Sequence, residues 1–210
     1  MPSGKPGFED LVFINCPFDK KYYHLLRAII FVIYRCGFTP TTALTVDNGL
    51  ENRLKKIFKS ISSAKYGIHD ISNTRLNINR LPRFNMPFEL GLFFGASEFG
   101  SIIHKSKNAL IFDTHKHRYE EFISDLKGVD IKAHNNDSKK IIVSIRDWLV
   151  SASGRKGLPG GVKLINEYSK FERTLTRSAA NIGYTVGNIP YNDYCSLVED
   201  AVKLILLSNR

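Results

Sequence analysis

The sequence predicts an α/β fold: a flavodoxin-like parallel sheet of about five strands with helices on both faces, followed by a C-terminal helical pair. Three observations predict it. Strand and helix patterns alternate through the first three quarters of the chain, the order that builds parallel sheets with covering helices. The strand segments are short, unbroken runs of apolar and β-branched residues, as in strands buried on both faces. The segments between them repeat apolar residues at helical spacing.

The first strand is DLVFIN at 10–15, closed by Pro17. A helix follows over 20–36, with Tyr23, Leu26, Ala28, Ile30, Val32 and Ile33 at helical spacing and Gly37 as its stop. Residues 38–44 are strand-like. The turn signal Asp47-Asn48-Gly49 leads into a helix over 50–63, with Leu54, Ile57, Phe58 and Ile61 on one face and basic residues on the other. YGIHDI at 66–71 is the third strand, and the polar, basic stretch 72–85 is an irregular loop long enough to carry a function. A helix opens at 85–87, where Asn85 is the capping residue and Pro87 fits the first turn, and it runs through FELGLFFGASEF. Its Gly91 and Gly95, four apart, let it approach the sheet closely, and its phenylalanines read as core. NALIFD at 108–113 is the fourth strand, and helices over 118–127 and 137–152 flank a weak strand at 129–134. The Gly- and Pro-rich stretch 154–162 is a linker with neither a dinucleotide fingerprint nor a P-loop. It divides a nucleotide-binding domain at 8–153 from a helical extension at 154–210, with helices over 162–180 and 191–208.

Composition narrows the function classes. With 43% hydrophobic and 24% charged residues, the chain is an ordinary globular protein, neither disordered nor fibrous. Its three cysteines, at 16, 36 and 195, are too few and scattered for a disulfide framework, and no CxxC pair exists to hold zinc, so a reduced cytoplasmic protein without a metal is expected. The longest apolar run, 25–36, contains Arg27 and falls short of the ~20 residues a bilayer span needs. The first ten residues lack the apolar core of a signal peptide.

Thirty basic against twenty acidic side chains give a net charge of +10. The excess is even, +5 in residues 1–100 and +5 in 101–210, which does not describe a nucleic-acid-binding arm. One stretch is concentrated: Arg53, Lys55, Lys56, Lys59, Lys65, Arg75, Arg80 and Arg83 oppose only Asp70. A solvated helix face with a basic loop accounts for such a cluster, and a phosphate site does so equally well once it borders a pocket.

In open parallel sheets, ligands bind beyond the carboxyl ends of the strands, where strand order reverses. That rule selects Asn15, Pro17, Phe18 and Asp19 after the first strand, Asp47 after the second, His69, Asp70 and Ser72 after the third, and Asp113 after the fourth. Glu89 falls in the first turn of the next helix, where the helix dipole favours a carboxylate that could stabilise a developing oxocarbenium ion. Cys16 reads as a buried thiol and His69 as a hydrogen-bonded strand-end histidine. His115 and His117 have poor metal spacing.

YGIHDIS, a loop, NMPFELGLFFGA and then KNALIFD resemble nucleoside 2-deoxyribosyltransferase-like proteins, in which a strand with an acidic end precedes a FELG-type helix start bearing a nucleophilic glutamate. The same stretch, with TVDNG at 45–49, is similar to Toll/interleukin receptor (TIR) domains, and FINCPFD to the first strand and turn of both families. The resemblance covers about residues 10–115. It implies a catalytic pair of Glu89 and Asp70, with Asn15, Pro17, Phe18, Asp19, Asp47, Ser72 and Asn85 around base and sugar, and Arg53, Arg75, Arg80 and Arg83 on phosphate. The implied activity is cleavage of a nucleotide N-glycosidic bond, with NAD as a substrate and not a cofactor. A deoxyribosyltransferase and a non-catalytic nucleotide-sensing module are the alternatives. A bacterial or phage-defence setting and a homo-oligomer, assembled through the C-terminal helices, are implied by resemblance alone.

Overall fold

The computed structural model describes residues 6–45, 48–74 and 83–208. Its five-stranded sheet has the order β2-β1-β3-β4-β5, every neighbouring pair parallel. The strands are β1 (Leu11–Asn15), β2 (Thr39–Thr41), β3 (Tyr66–Asp70), β4 (Asn108–Asp113) and β5 (Ile131–Ala133). This is the doubly wound, flavodoxin-like arrangement that the alternating pattern predicts.

Alternation along the strands sends side chains to two cores. Val12 and Ile14 of β1 join Tyr66 and Ile68 of β3 against α1 (Tyr23–Arg35) and α4 (Ser138–Ser153). Phe13 faces the other way, onto α2 (Arg53–Ser63) and α3 (Asn85–Phe99), through Ile57, Ile61 and Phe93. α1 runs thirteen residues and ends where Gly37, at φ +79°, supplies the left-handed conformation that closes a helix. The C-terminal helices α5 (Gly161–Asn181) and α6 (Tyr191–Ser208) continue the first core: Leu164, Phe171, Leu175, Val198 and Val202 are buried with the face of α1. Among the described residues, no helix is long and apolar enough to cross a membrane.

Several elements differ from the sequence expectation. β2 is only three residues long, and α2 starts at Arg53, where the Asn52 side chain accepts from the Lys55 amide. Residues 118–127 form two 3-10 turns, Arg118–Glu121 and Ser124–Leu126, in place of a helix, because His117 enters in the left-handed region and no side-chain cap starts a longer helix. Asn85 is the first residue of α3 and not its cap. Phe84 occupies the cap position with φ −100° and ψ 1°, away from the extended backbone that a capping side chain needs. Glu89 therefore lies in the second turn of α3, beyond the first-turn amides whose dipole would favour its carboxylate. Gly91 and Gly95 do not bring α3 close to the sheet: a Cβ on either would meet nothing within 4 Å among the described residues. The glycine that does so is Gly67 of β3, where a Cβ would lie 2.6 Å from His69 Nε2 and 2.8 Å from Phe93 Cζ.

Candidate functional site

The strand order reverses between β1 and β3. The chain leaves β1 toward α1 on one face and leaves β3 toward α3 on the other, which opens a crevice at their carboxyl ends. A cleft of about 730 Å³ occupies this edge, with Pro17, Asp19, Tyr22, Ser72, Asn73 and His134 in its wall and Lys20, Lys21 and Arg83 among its cationic lining.

Asp70 is the buried anchor of this wall. Its Oδ2 accepts from the Tyr22 hydroxyl, and its Oδ1 accepts from the Ser72 amide at 2.8 Å. His134 Nδ1 accepts from the Asn136 amide at 2.9 Å, which leaves the ring proton on Nε2. That nitrogen lies 3.2 Å from Asp70 Oδ2 but off the line of a hydrogen bond. Burial, and after it the charge of Asp70, pushes the Tyr22 hydroxyl well above its ordinary range, so it stays a donor. Asn135 and Asn136, at φ 51° and 59°, form the strained turn that holds His134 over the carboxylate.

Arg118 ties the loops together. It donates from Nε and Nη2 to Asp113 Oδ1 at 2.8 and 2.5 Å, from Nη1 to Thr74 Oγ1 at 2.9 Å, and from Nη2 to the carbonyls of Ile71 and Ser72 at 3.1 and 3.0 Å. The exits of β3 and β4 are thus fixed by one guanidinium. Burial raises the Asp113 carboxyl above its usual range despite these bonds.

Glu89 sits on the other face of the sheet edge. It is only 4% exposed, and its Oε1 lies 3.7 Å from Arg53 Nη2. Burial raises its carboxyl, and Arg53 opposes that rise. The buried Cys16 thiol, just past β1, is pushed well up first by burial and then by the charges of Asp70, Glu89 and Asp19. Compared with models of known protein families and with curated proteins, this chain matches none of them.

Beside Glu89 runs a second polar contact through the sheet. Asn15 Nδ2 donates to the Met86 carbonyl at 2.8 Å and to His69 Nδ1 at 3.0 Å. Burial lowers the His69 imidazole to about 3, so the ring is neutral, and among the described residues its Nε2 has no hydrogen-bond partner but faces Phe93, with ring centroids 4.9 Å apart.

Of the residues the sequence selects, Pro17, Asp19, Ser72 and Arg83 line the cleft, with Asp70 behind its wall. Asp19 accepts from the Tyr22 amide and the Asn73 side chain, bracing the loop after β1. Phe18 turns into a neighbouring apolar cavity of about 130 Å³ with Tyr23, Leu26 and Tyr191. Asn15 is buried and committed to its two partners, Arg53 reaches toward Glu89, and Asn85 is an exposed residue at the start of α3. Asp47, Arg75 and Arg80 lie outside the described residues. Among the described residues, no group of three or more His, Cys, Asp or Glu is placed to hold a metal ion. Sequence reasoning missed Tyr22, His134 and Arg118. The strand-end rule, applied to the weak fifth strand, would have found His134.

Proposed function

We propose that this chain binds a nucleotide in the β1–β3 crevice and cleaves its N-glycosidic bond, with NAD as the favoured substrate. The observation that carries the reading is a pair of buried carboxylates, Asp70 at the end of β3 and Glu89 in α3, whose charges both act on the Cys16 thiol just past β1, beside the point of strand-order reversal. In the reaction the bond from the anomeric carbon to the nicotinamide nitrogen breaks and its electron pair leaves with the base. Ionised Glu89 stabilises or traps the resulting ribosyl cation, and water then adds with loss of a proton. Arg53 favours the ionised form of Glu89 against its burial. Asp70, held by Tyr22 and Ser72, orients sugar hydroxyls, and Lys20, Lys21 and Arg83 take the phosphates. A deoxyribosyl transferase would break the same type of bond and differ in its acceptor. The free, buried state of all three cysteines fits a reducing compartment, and we assign the protein to the cytoplasm.

A second reading, a nucleotide sensor without turnover, is favoured by the near-complete burial of Glu89 and its absence from the described lining of the cleft. One experiment separates them. Purified protein is incubated with NAD and, in parallel, with 2′-deoxynucleosides, beside Glu89→Gln, and free base is measured. Release lowered at least 100-fold by the substitution supports the enzyme. Equal, background release by both proteins overturns it, and nucleotide binding retained by both then selects the sensor.

A further inference from the structure

We infer that the outer face of α3 is a docking surface for a second copy of this chain, packed about a two-fold axis that runs along α3. The inference is independent of the proposed activity. α3 carries apolar residues on every side, with Glu89 and Glu98 as its two charged positions, yet only Met86, Glu89, Leu90 and Phe93 are buried. A helix apolar on every side is ordinarily covered on every side. At helical spacing, Phe84, Phe88, Gly91, Gly95 and Phe99 fall in one stripe pointing away from the sheet, and the three phenylalanines are 57%, 53% and 91% exposed. At roughly 200 Å² of surface per ring side chain, those three alone present about 400 Å². The exposed Leu54 and Phe58 of α2, with Ile102 and Ile103 beyond the end of α3, extend the patch toward the ~800 Å² per partner of a stable interface.

Among the described residues, no contact within the single chain requires either glycine. Each costs about 1 kcal/mol of helix stability relative to alanine, and neither is needed to make room for a neighbour, since a Cβ there meets nothing within 4 Å. They would let two α3 helices approach closely between rims of phenylalanine.

Charge selects both the partner and the orientation. One flank of α3 is α2, which displays Arg53, Lys55 and Lys56. The opposite flank packs on the 3-10 turns at 118–126, which display Glu121 and Asp125, and Glu98 leans the same way from α3 itself. A two-fold axis along α3 sets the basic flank of each copy on the acidic flank of the other. An axis across α3 would set like charges together.

The test is molecular mass by sedimentation over 1–100 µM protein. The wild type is expected to reach twice the 23.8 kDa chain mass. Gly91→Leu with Gly95→Leu is expected to weaken association roughly 100-fold while raising the melting temperature of the monomer, because the glycines gain helix propensity and no clash. Reversing one flank (Lys55→Glu, Lys56→Glu) or the other (Glu121→Lys, Asp125→Lys) is expected to abolish dimers, and reversing both in one chain to restore them. A wild type that is monomeric throughout overturns the inference, as does a dimer indifferent to the leucines. Failure of the double reversal to recover, with the variant folded by circular dichroism, overturns the orientation.

Discussion

His69 offers a direct thermodynamic test of the core beneath the candidate site. Its imidazole is fully buried, accepts from Asn15 at Nδ1 and is held neutral, with a pKa lowered to about 3 by burial. The unfolded chain titrates near the ordinary 6.5. Between those two values the unfolded state binds a proton that the native state refuses, so stability is fully present above pH 6.5 and falls as the pH drops toward 3. Integration of the linkage relation gives a loss of about 2 kcal/mol between pH 7 and pH 5 from this residue alone. The measurement is urea unfolding of the wild type and His69→Gln at both pH values. Glutamine keeps an acceptor for Asn15 and removes the titration, so the wild type should lose about 2 kcal/mol more than the variant. Equal losses would refute the claim that the ring is held neutral. So would a His69 proton resonance that titrates near pH 6 in the native protein.

Two further substitutions probe the same edge of the sheet. Gly67→Ala places a methyl group against His69 and Phe93 at 2.6–2.8 Å and should cost about 1–3 kcal/mol by overpacking, with partial recovery in a Phe93→Leu background, read by thermal unfolding. Arg118→Met strands the buried Asp113 carboxylate and should cost about 3 kcal/mol, part of it regained by Asp113→Asn, with urea midpoints as the readout.

The sheet was legible because parallel strands buried on both faces leave unbroken apolar runs, and β1, β3 and β4 each match such a run to within a residue or so. α1 was equally plain, since its apolar spacing and Gly37 agree. Residues 118–127 misled because RYEEFISDLK has helical composition, while the left-handed His117 before it is a backbone state the sequence does not advertise. The start of α3 failed for a related reason: asparagine prefers a cap position, but the backbone at Phe84 fixes the register one residue earlier. At the site, Asp70 was found by position, whereas its partners were not. Tyr22 precedes a helix, and His134 ends a three-residue strand, so only the folded sheet brings them to one carboxylate. Neighbouring residues of a strand serve opposite faces, which sends Asp70 to Tyr22 while His69 turns to Phe93.

Asn15 has a mechanical meaning beyond its hydrogen bonds. Both of its amide protons are spent, one on the first turn of α3 and one on β3. A slide or rotation of α3 large enough to break the Met86 contact would orphan a buried donor, at a cost of about 1–3 kcal/mol. The helix is therefore indexed to the end of β1, like a shaft held by a key.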